Sequence, residues 1–207
     1  MRGREATPGH VPTTPSPQTW IFYFDLNHLT PGGGFDRARK AVEDFILQRF
    51  KNGDLAGVVA GDKMVNNRLT TDRSELLSAV RQVKPRGENR ARTIAMSREW
   101  PRFRNEEEVM QVARRIDEVI QRVVQRACSE DPDSCIMADS MVEQKAMQLA
   151  SVIQKESLET FAALNGLSAG LARVPGPKTI VFLSNGFVSF GLDGTLRGVV
   201  GEAGPAR

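Results

Sequence analysis

Two short runs constrain the fold most: TWIFYF at Thr19–Phe24 and TIVFL at 179–183. Both are built from apolar, β-branched and aromatic residues without polar alternation. That pattern belongs to strands covered on both faces, as in a parallel sheet. A third, weaker run of the same kind is LAGVVA at Leu55–Ala60, and the GDK turn after it leads to residues 64–70, which we expect to pair antiparallel. Parallel neighbours need long crossovers, so helices must lie between these strands.

The intervening chain supplies them. Phe35, Ala38, Val42, Phe45, Ile46 and Phe50 recur at three-to-four spacing, and NGD after Lys51 closes the helix they predict. In TTDRSELLSAVRQV, Asp72 stands three residues before Glu75, a pairing that satisfies orphan N–H groups at a helix start, and Leu76, Leu77, Val80 and Val83 form the face to be buried. Residues 105–174 carry almost no strand signal. Val109, Val112, Ile116, Val119, Val123 and Ala127 make one apolar stripe, opened by Asn105 with Glu108 three residues on. After SEDPDS, Val142, Ala146, Leu149, Ile153, Ser157, Thr160, Leu164, Leu167, Leu171 and Val174 make a second. Two such helices joined by a short polar turn run antiparallel, which predicts a long helical hairpin inserted ahead of the strand at 179–183. Cys128 and Cys135 flank the turn. Their spacing suits a disulfide across the hairpin tip in an oxidising compartment, and equally two separate thiols.

At 207 residues the chain holds one domain with a substantial core. Its net charge of +3 comes from basic residues interspersed with acids rather than clustered, and no basic, aromatic-rich motif points to nucleic acid. No apolar stretch approaches the roughly 20 residues that cross a bilayer. Residues 1–18, rich in Pro and Thr, read as a flexible leader and lack the apolar centre of a signal peptide. The far end, GTLRGVVGEAGPAR, stops without an element to pack, so C-terminal strands are expected to be missing. PGGGF lacks the Lys-Ser/Thr of a phosphate loop and the spaced glycines of dinucleotide folds, and serves more simply as a flexible lead into the helix near Phe35.

Sites in open parallel sheets form beyond the carboxyl ends of the strands. FDLNHLT and FLSNG both lie there, so Asp25, Asn27, Thr30, Ser184 and Asn185 converge if the two strands are neighbours. All five bear oxygen, the ligand type of a hard cation such as Mg²⁺. Asp25 and Asn185 are equally ordinary as strand-ending residues that bond neighbouring turns. His28, with no acid or nucleophile set beside it by sequence, reads as a packed loop histidine rather than a base.

The order IFYFDLNHLT, FDRARKAVEDFI, GDLAGVVAG, LTTDRSELLSAV and VPGPKTIVFLSNGF resembles the von Willebrand factor A (VWFA) domain, most closely the VWFA-related family described from acidobacteria. The resemblance spans roughly residues 20–207 and lies in the order of the pieces, not in any single one. It implies a Rossmann-like, mainly parallel sheet with helices on both faces, residues 19–207 as the domain, and residues 105–174 as its helical hairpin insertion. It also implies a metal-ion-dependent adhesion site (Asp-x-Ser-x-Ser, a distant Thr and a later Asp). Asp25 matches the first ligand, Asn27 the first Ser position and Leu29 the second, where it cannot ligate. Thr30 is displaced by one position, Asn185 replaces the later carboxylate with an amide, and Thr93 is the only candidate offered for the distant Thr. These departures make a degenerate Mg²⁺ site.

The resemblance therefore implies a non-catalytic protein-interaction or adhesion module, exported through a region outside this chain, with a protein partner that completes the ion's coordination. The alternative is a Mg²⁺-dependent phosphohydrolase resembling the haloacid dehalogenase superfamily, with Asp25 as nucleophile and Ser184 as phosphate ligand. It lacks the second carboxylate, because Asn27 stands in that place, and an acidic pair after the late strand. A scaffold without any retained site is the third reading.

Overall fold

A computed structural model describes residues 17–186, the side chains of residues 87–92 excepted. The expected leader up to residue 16 and the C-terminal stretch from residue 187 lie outside the described residues. Strands β1 (Thr19–Phe24), β2 (Leu55–Ala60), β3 (Lys63–Met64) and β4 (Lys178–Leu183) form one sheet in the order β3-β2-β1-β4. Strand β1 pairs in parallel with both β2 and β4, with Phe24 level with Ala60 on one side and Leu183 on the other. Strand β3 pairs antiparallel with β2. The sheet is thus mixed and mostly parallel, in an α/β fold.

The absence of alternation in TWIFYF has its cause here. Phe22 and Phe24 point into a core made with helix α1 (Gly33–Gln48) and helix α2 (Arg73–Gln82), through Phe35, Val42, Ile46, Leu76, Ala79 and Val80. Ile21 and Tyr23 point the other way, onto Phe161, Leu164 and Leu171 of α6 (Cys135–Leu171). Alternate residues are all buried because both faces of β1 are covered. Gly32, at φ 81°, turns the chain into α1 in a conformation that favours glycine. Asp72 caps α2 through its side chain, accepting from the N–H groups of Ser74 (2.7 Å) and Glu75 (3.4 Å). Glu75 turns instead to Arg68, so only half of the expected reciprocal cap forms.

The helical part departs from the expected pair of arms. Helix α3 (Gly87–Arg98) lies in a stretch where we expected no element. The stripe from Val109 to Ala127 is divided into α4 (Glu106–Ala113) and α5 (Asp117–Glu130), with Arg115 at φ 59° between them. Asn105 does open α4, its side chain accepting from the Glu108 N–H at 2.8 Å. Helices α5 and α6 fold back on one another across the short turn, and Cys128 and Cys135 close it with a disulfide, Cα atoms 4.5 Å apart. Val109, Val112, Val119, Val123 and Ala127 pack there against Ala138, Val142, Ala146, Leu149 and Ile153 of α6. Residues 64–70 also depart from expectation. After two residues of β3 the chain makes a short 3₁₀ turn (Val65–Asn67) and regains only one bridge, Thr70 to Ala56. No helix among the described residues is long and apolar enough to cross a membrane.

Candidate functional site at the carboxyl ends of β1 and β4

Because β1 and β4 are parallel neighbours in register, the loops that follow them leave the sheet side by side. The Asp25 N–H continues the ladder by donating to the Leu183 carbonyl (2.9 Å). The Asp25 carbonyl then accepts from the N–H groups of His28 (3.2 Å) and Leu29 (2.8 Å), which curls the loop back over the strand end. This turn carries the His28 ring under the loop, with Nδ1 2.8 Å from Asp25 Oδ2. An ionised Asp25 accepts from Nδ1–H, which fixes the imidazole tautomer.

Two hydroxyls complete the carboxylate's shell. Thr160 of α6 donates to Oδ1 at 3.0 Å, and Ser184, just after β4, donates to Oδ2 at 2.9 Å. Ser184 Oγ in turn accepts from the Gly186 N–H at 3.1 Å. Asp25 and His28 are each 1% exposed and Thr160 2%, so this is a buried polar junction uniting β1, β4 and α6. Three donors on one carboxylate offset the cost of burying it. The phenol of Tyr23, one residue before the strand end, is pushed well above its usual range, first by burial and then by the negative charges of Asp25 and Asp62.

The other expected ligands lie around this junction without sharing one centre. Asn27, half-buried, donates to the Glu156 carbonyl (3.2 Å) and to Thr160 Oγ1 (3.4 Å). Asn185, exposed, donates to Thr30 Oγ1 at 2.9 Å. Gly34 makes room for that contact: a Cβ there would stand 2.7 Å from Asn185 Nδ2. Thr93 lies on α3, where it lines a cavity of about 510 Å³ with Phe103, Asn105, Leu149, Ile153 and Asn185. It is Thr160, not Thr93, that reaches Asp25. In sequence Thr160 is only a polar residue within an apolar helical stripe, and 135 residues separate it from its acceptor.

Mg²⁺ asks for near-octahedral oxygen coordination, with at least one carboxylate free to face it. Here the single carboxylate already accepts from Thr160, Ser184 and His28, Leu29 is packed into the core, and Thr30 and Asn185 bond each other. The donor set in this arrangement does not fit a cation. No group of three or more His, Cys, Asp or Glu side chains suited to a metal ion occurs among the described residues. Nor is the junction a Ser-His-Asp relay, in which the imidazole stands between hydroxyl and carboxylate; Ser184 and His28 both meet Asp25 Oδ2 directly.

Comparison with known proteins finds no family model, no curated protein and no solved structure that matches this chain.

Proposed function

We propose that the chain is a non-catalytic protein-interaction module of VWFA type: a Rossmann-like domain with an inserted helical hairpin over residues 105–174. Its recognition surface is the rim at the carboxyl ends of β1 and β4. One observation supports this most: the loops after the two strands are joined there by Asp25, which accepts from Ser184 and Thr160 and so fixes the rim's shape from beneath. A rigid platform under exposed polar groups is what recognition by loops requires. Asn185, exposed, and Thr30, half-buried, are the groups a partner meets first, and the cavity beside Asn185 receives a side chain from it. In this reading hydrogen bonds hold the rim where a resident cation would hold it in the family. The Cys128–Cys135 bridge supports an extracytoplasmic setting. No observation favours Asp25 as a nucleophile, since both its oxygens are engaged and the residue is buried.

Selection of a random peptide library on the immobilised protein tests the surface. Enriched peptides should lose binding to Asn185→Lys and keep it to Lys40→Glu on the exposed side of α1. Peptides indifferent to Asn185→Lys would remove the rim from consideration. A thermal-shift series with Mg²⁺ and Mn²⁺ tests the absence of a cation's role. The unaltered chain should show no stabilisation, whereas Asn185→Asp, which restores a second carboxylate at an exposed position, should gain one. Stabilisation of the unaltered chain that disappears with Asp25→Asn would reverse this part of the reading.

A further inference from the structure

At the other end of the sheet from the rim, where β1 and β2 begin, an open basin of about 650 Å³ lies against the carboxyl end of α1. Trp20, Phe45 and Phe50 line it together with Arg49, Lys51 and Arg73. Among the described residues no acidic side chain lines it. In a chain whose basic residues are otherwise interspersed with acids, three cations around one hollow without a carboxylate make a local positive field.

The parts of the basin have local causes. Asp54, 5% exposed, accepts from the N–H groups of Gln18 (3.0 Å) and Lys51 (3.1 Å) and from the Trp20 indole (3.2 Å). The indole's one polar atom is thereby taken, so Trp20 and Phe45, half-buried with rings 4.8 Å apart at 62°, offer the basin hydrocarbon ring surface. Both oxygens of Asp54 are engaged beneath it. The acids of α1 nearest in sequence, Glu43 and Asp44, pair with Arg81 and Lys40. Cations are ordinary at the carboxyl end of a helix, and Arg73 serves there by donating to the Phe50 carbonyl. Arg49 and Lys51 do not repeat that role. Both are exposed, and beyond the attraction between Lys51 and Asp54 their charged groups make no hydrogen bond or ion pair among the described residues.

We propose that this basin binds a small organic anion with a flat ring: the ring lies on Trp20 and Phe45, and the anionic group meets Arg49, Lys51 and Arg73. A hollow of this volume is in the range of small-molecule sites. The cations select for negative charge, and the aromatic floor selects a ring over a bare ion. Asp54 serves as a positioning residue, holding the indole and the loop that carries Lys51 from below. The site stands apart from the rim, so it does not depend on recognition there.

Titration calorimetry on the full chain with 1-naphthyl phosphate tests the site. One site should appear with a Kd below ~1 mM, as expected of a ligand of this size, and its affinity should fall as salt is raised. Inorganic phosphate and 1-naphthol, which carry the charge and the ring separately, should each bind at least ~10-fold more weakly. Arg49→Glu reverses an exposed charge and so keeps the fold; it should weaken binding at least ~10-fold, and Phe45→Leu, which removes a ring, at least ~3-fold. Lys40→Glu, elsewhere on α1, and Asn185→Lys at the rim should leave the affinity unchanged. No binding up to ~5 mM ligand would overturn the proposal. So would an equal affinity for inorganic phosphate, for 1-naphthol or for a hexaglutamate peptide, or binding indifferent to Arg49→Glu.

Discussion

Thr160→Val isolates the hydrogen-bonded junction beneath the rim. Valine fills nearly the same space as threonine, so the substitution opens no cavity and removes only the hydroxyl. That hydroxyl donates to Asp25 Oδ1 at 3.0 Å and accepts from Asn27 at 3.4 Å. The second contact is long, and Asn27 keeps the Glu156 carbonyl, so the first decides the magnitude. A hydrogen bond to a charged group contributes about 1.5–3 kcal/mol, and its loss leaves a buried carboxylate oxygen without a donor. We therefore expect a loss of about 2 kcal/mol in urea denaturation, or about 4–8 °C in Tm for a chain of this size. Thr160→Ser, which keeps the hydroxyl, should recover most of it. EDTA should leave both proteins unchanged, since the junction is held by protein donors. A Thr160→Val variant within about 0.5 kcal/mol of the unaltered chain would refute the reasoning, as would a serine variant no better than valine.

Three further outcomes are expected. Burial raises the Asp54 carboxyl, but the N–H groups of Gln18 and Lys51 and the Trp20 indole outweigh it and hold the group below its usual range. A depressed folded value means that the stabilisation is complete above the ordinary Asp range near ~3.9 and is lost as pH falls through the folded value. Asp54→Asn should therefore lower stability at neutral pH and flatten its acid dependence below about pH 4 in denaturation curves; parallel curves would contradict this. Reducing the Cys128–Cys135 bridge should cost about 2.5 kcal/mol from loop entropy and accelerate amide exchange at the tip of α5 and α6, read by mass spectrometry with and without reductant. Gly34→Ala should displace the Asn185 amide from Thr30, since the added Cβ would stand 2.7 Å from it. Because Asn185 is exposed, stability should change by less than about 0.5 kcal/mol while binding of rim-selected peptides falls.

Elements whose signal is local were legible in the residues. TWIFYF, LAGVVA and TIVFL form strands because each is β-branched or aromatic and bounded by turns. The α1 face and the Asp72 cap depend on spacings of three or four residues, whereas the spacing of Cys128 and Cys135 left open the disulfide that the structure forms. What escaped depends on the third dimension. Helix α3 contains Arg90, Arg92 and Arg98 among few apolar residues, so no stripe marks it. The break between α4 and α5 rests on one backbone angle at Arg115, a residue with no glycine-like signature. The five expected ligands do gather at one rim, yet as three separate pairings: Asp25 with Ser184, Thr30 with Asn185, and Asn27 with α6. Sequence brought the oxygens to one place without saying which way each would turn.

The missing partner of Asp25 was nevertheless written into α6 as an irregularity. Along its inner side the helix is apolar through Ile153 and, but for Ser168, again from Phe161, and between them lie Glu156, Ser157 and Thr160, all buried. Buried polar residues in an apolar stripe are costly unless something polar faces them. Here the Thr160 hydroxyl meets Asp25 and Asn27, so that polar position marks where the helix crosses the end of β1. It falls between the cluster α6 shares with α4 and α5 and the cluster it shares with the sheet. A slip of α6 by one turn, about 5.4 Å, that brought Leu164 to the place of Thr160 would set an apolar residue against the carboxylate and Asn165 and Ser168 against Ile21 and Tyr23. The junction therefore fixes the helix's register as well as the rim's shape. The same single hydroxyl, removed by Thr160→Val, should loosen both, seen as faster amide exchange in 156–164 together with weaker peptide binding at Asn185. Loss of one without the other would show that register and rim are separately held.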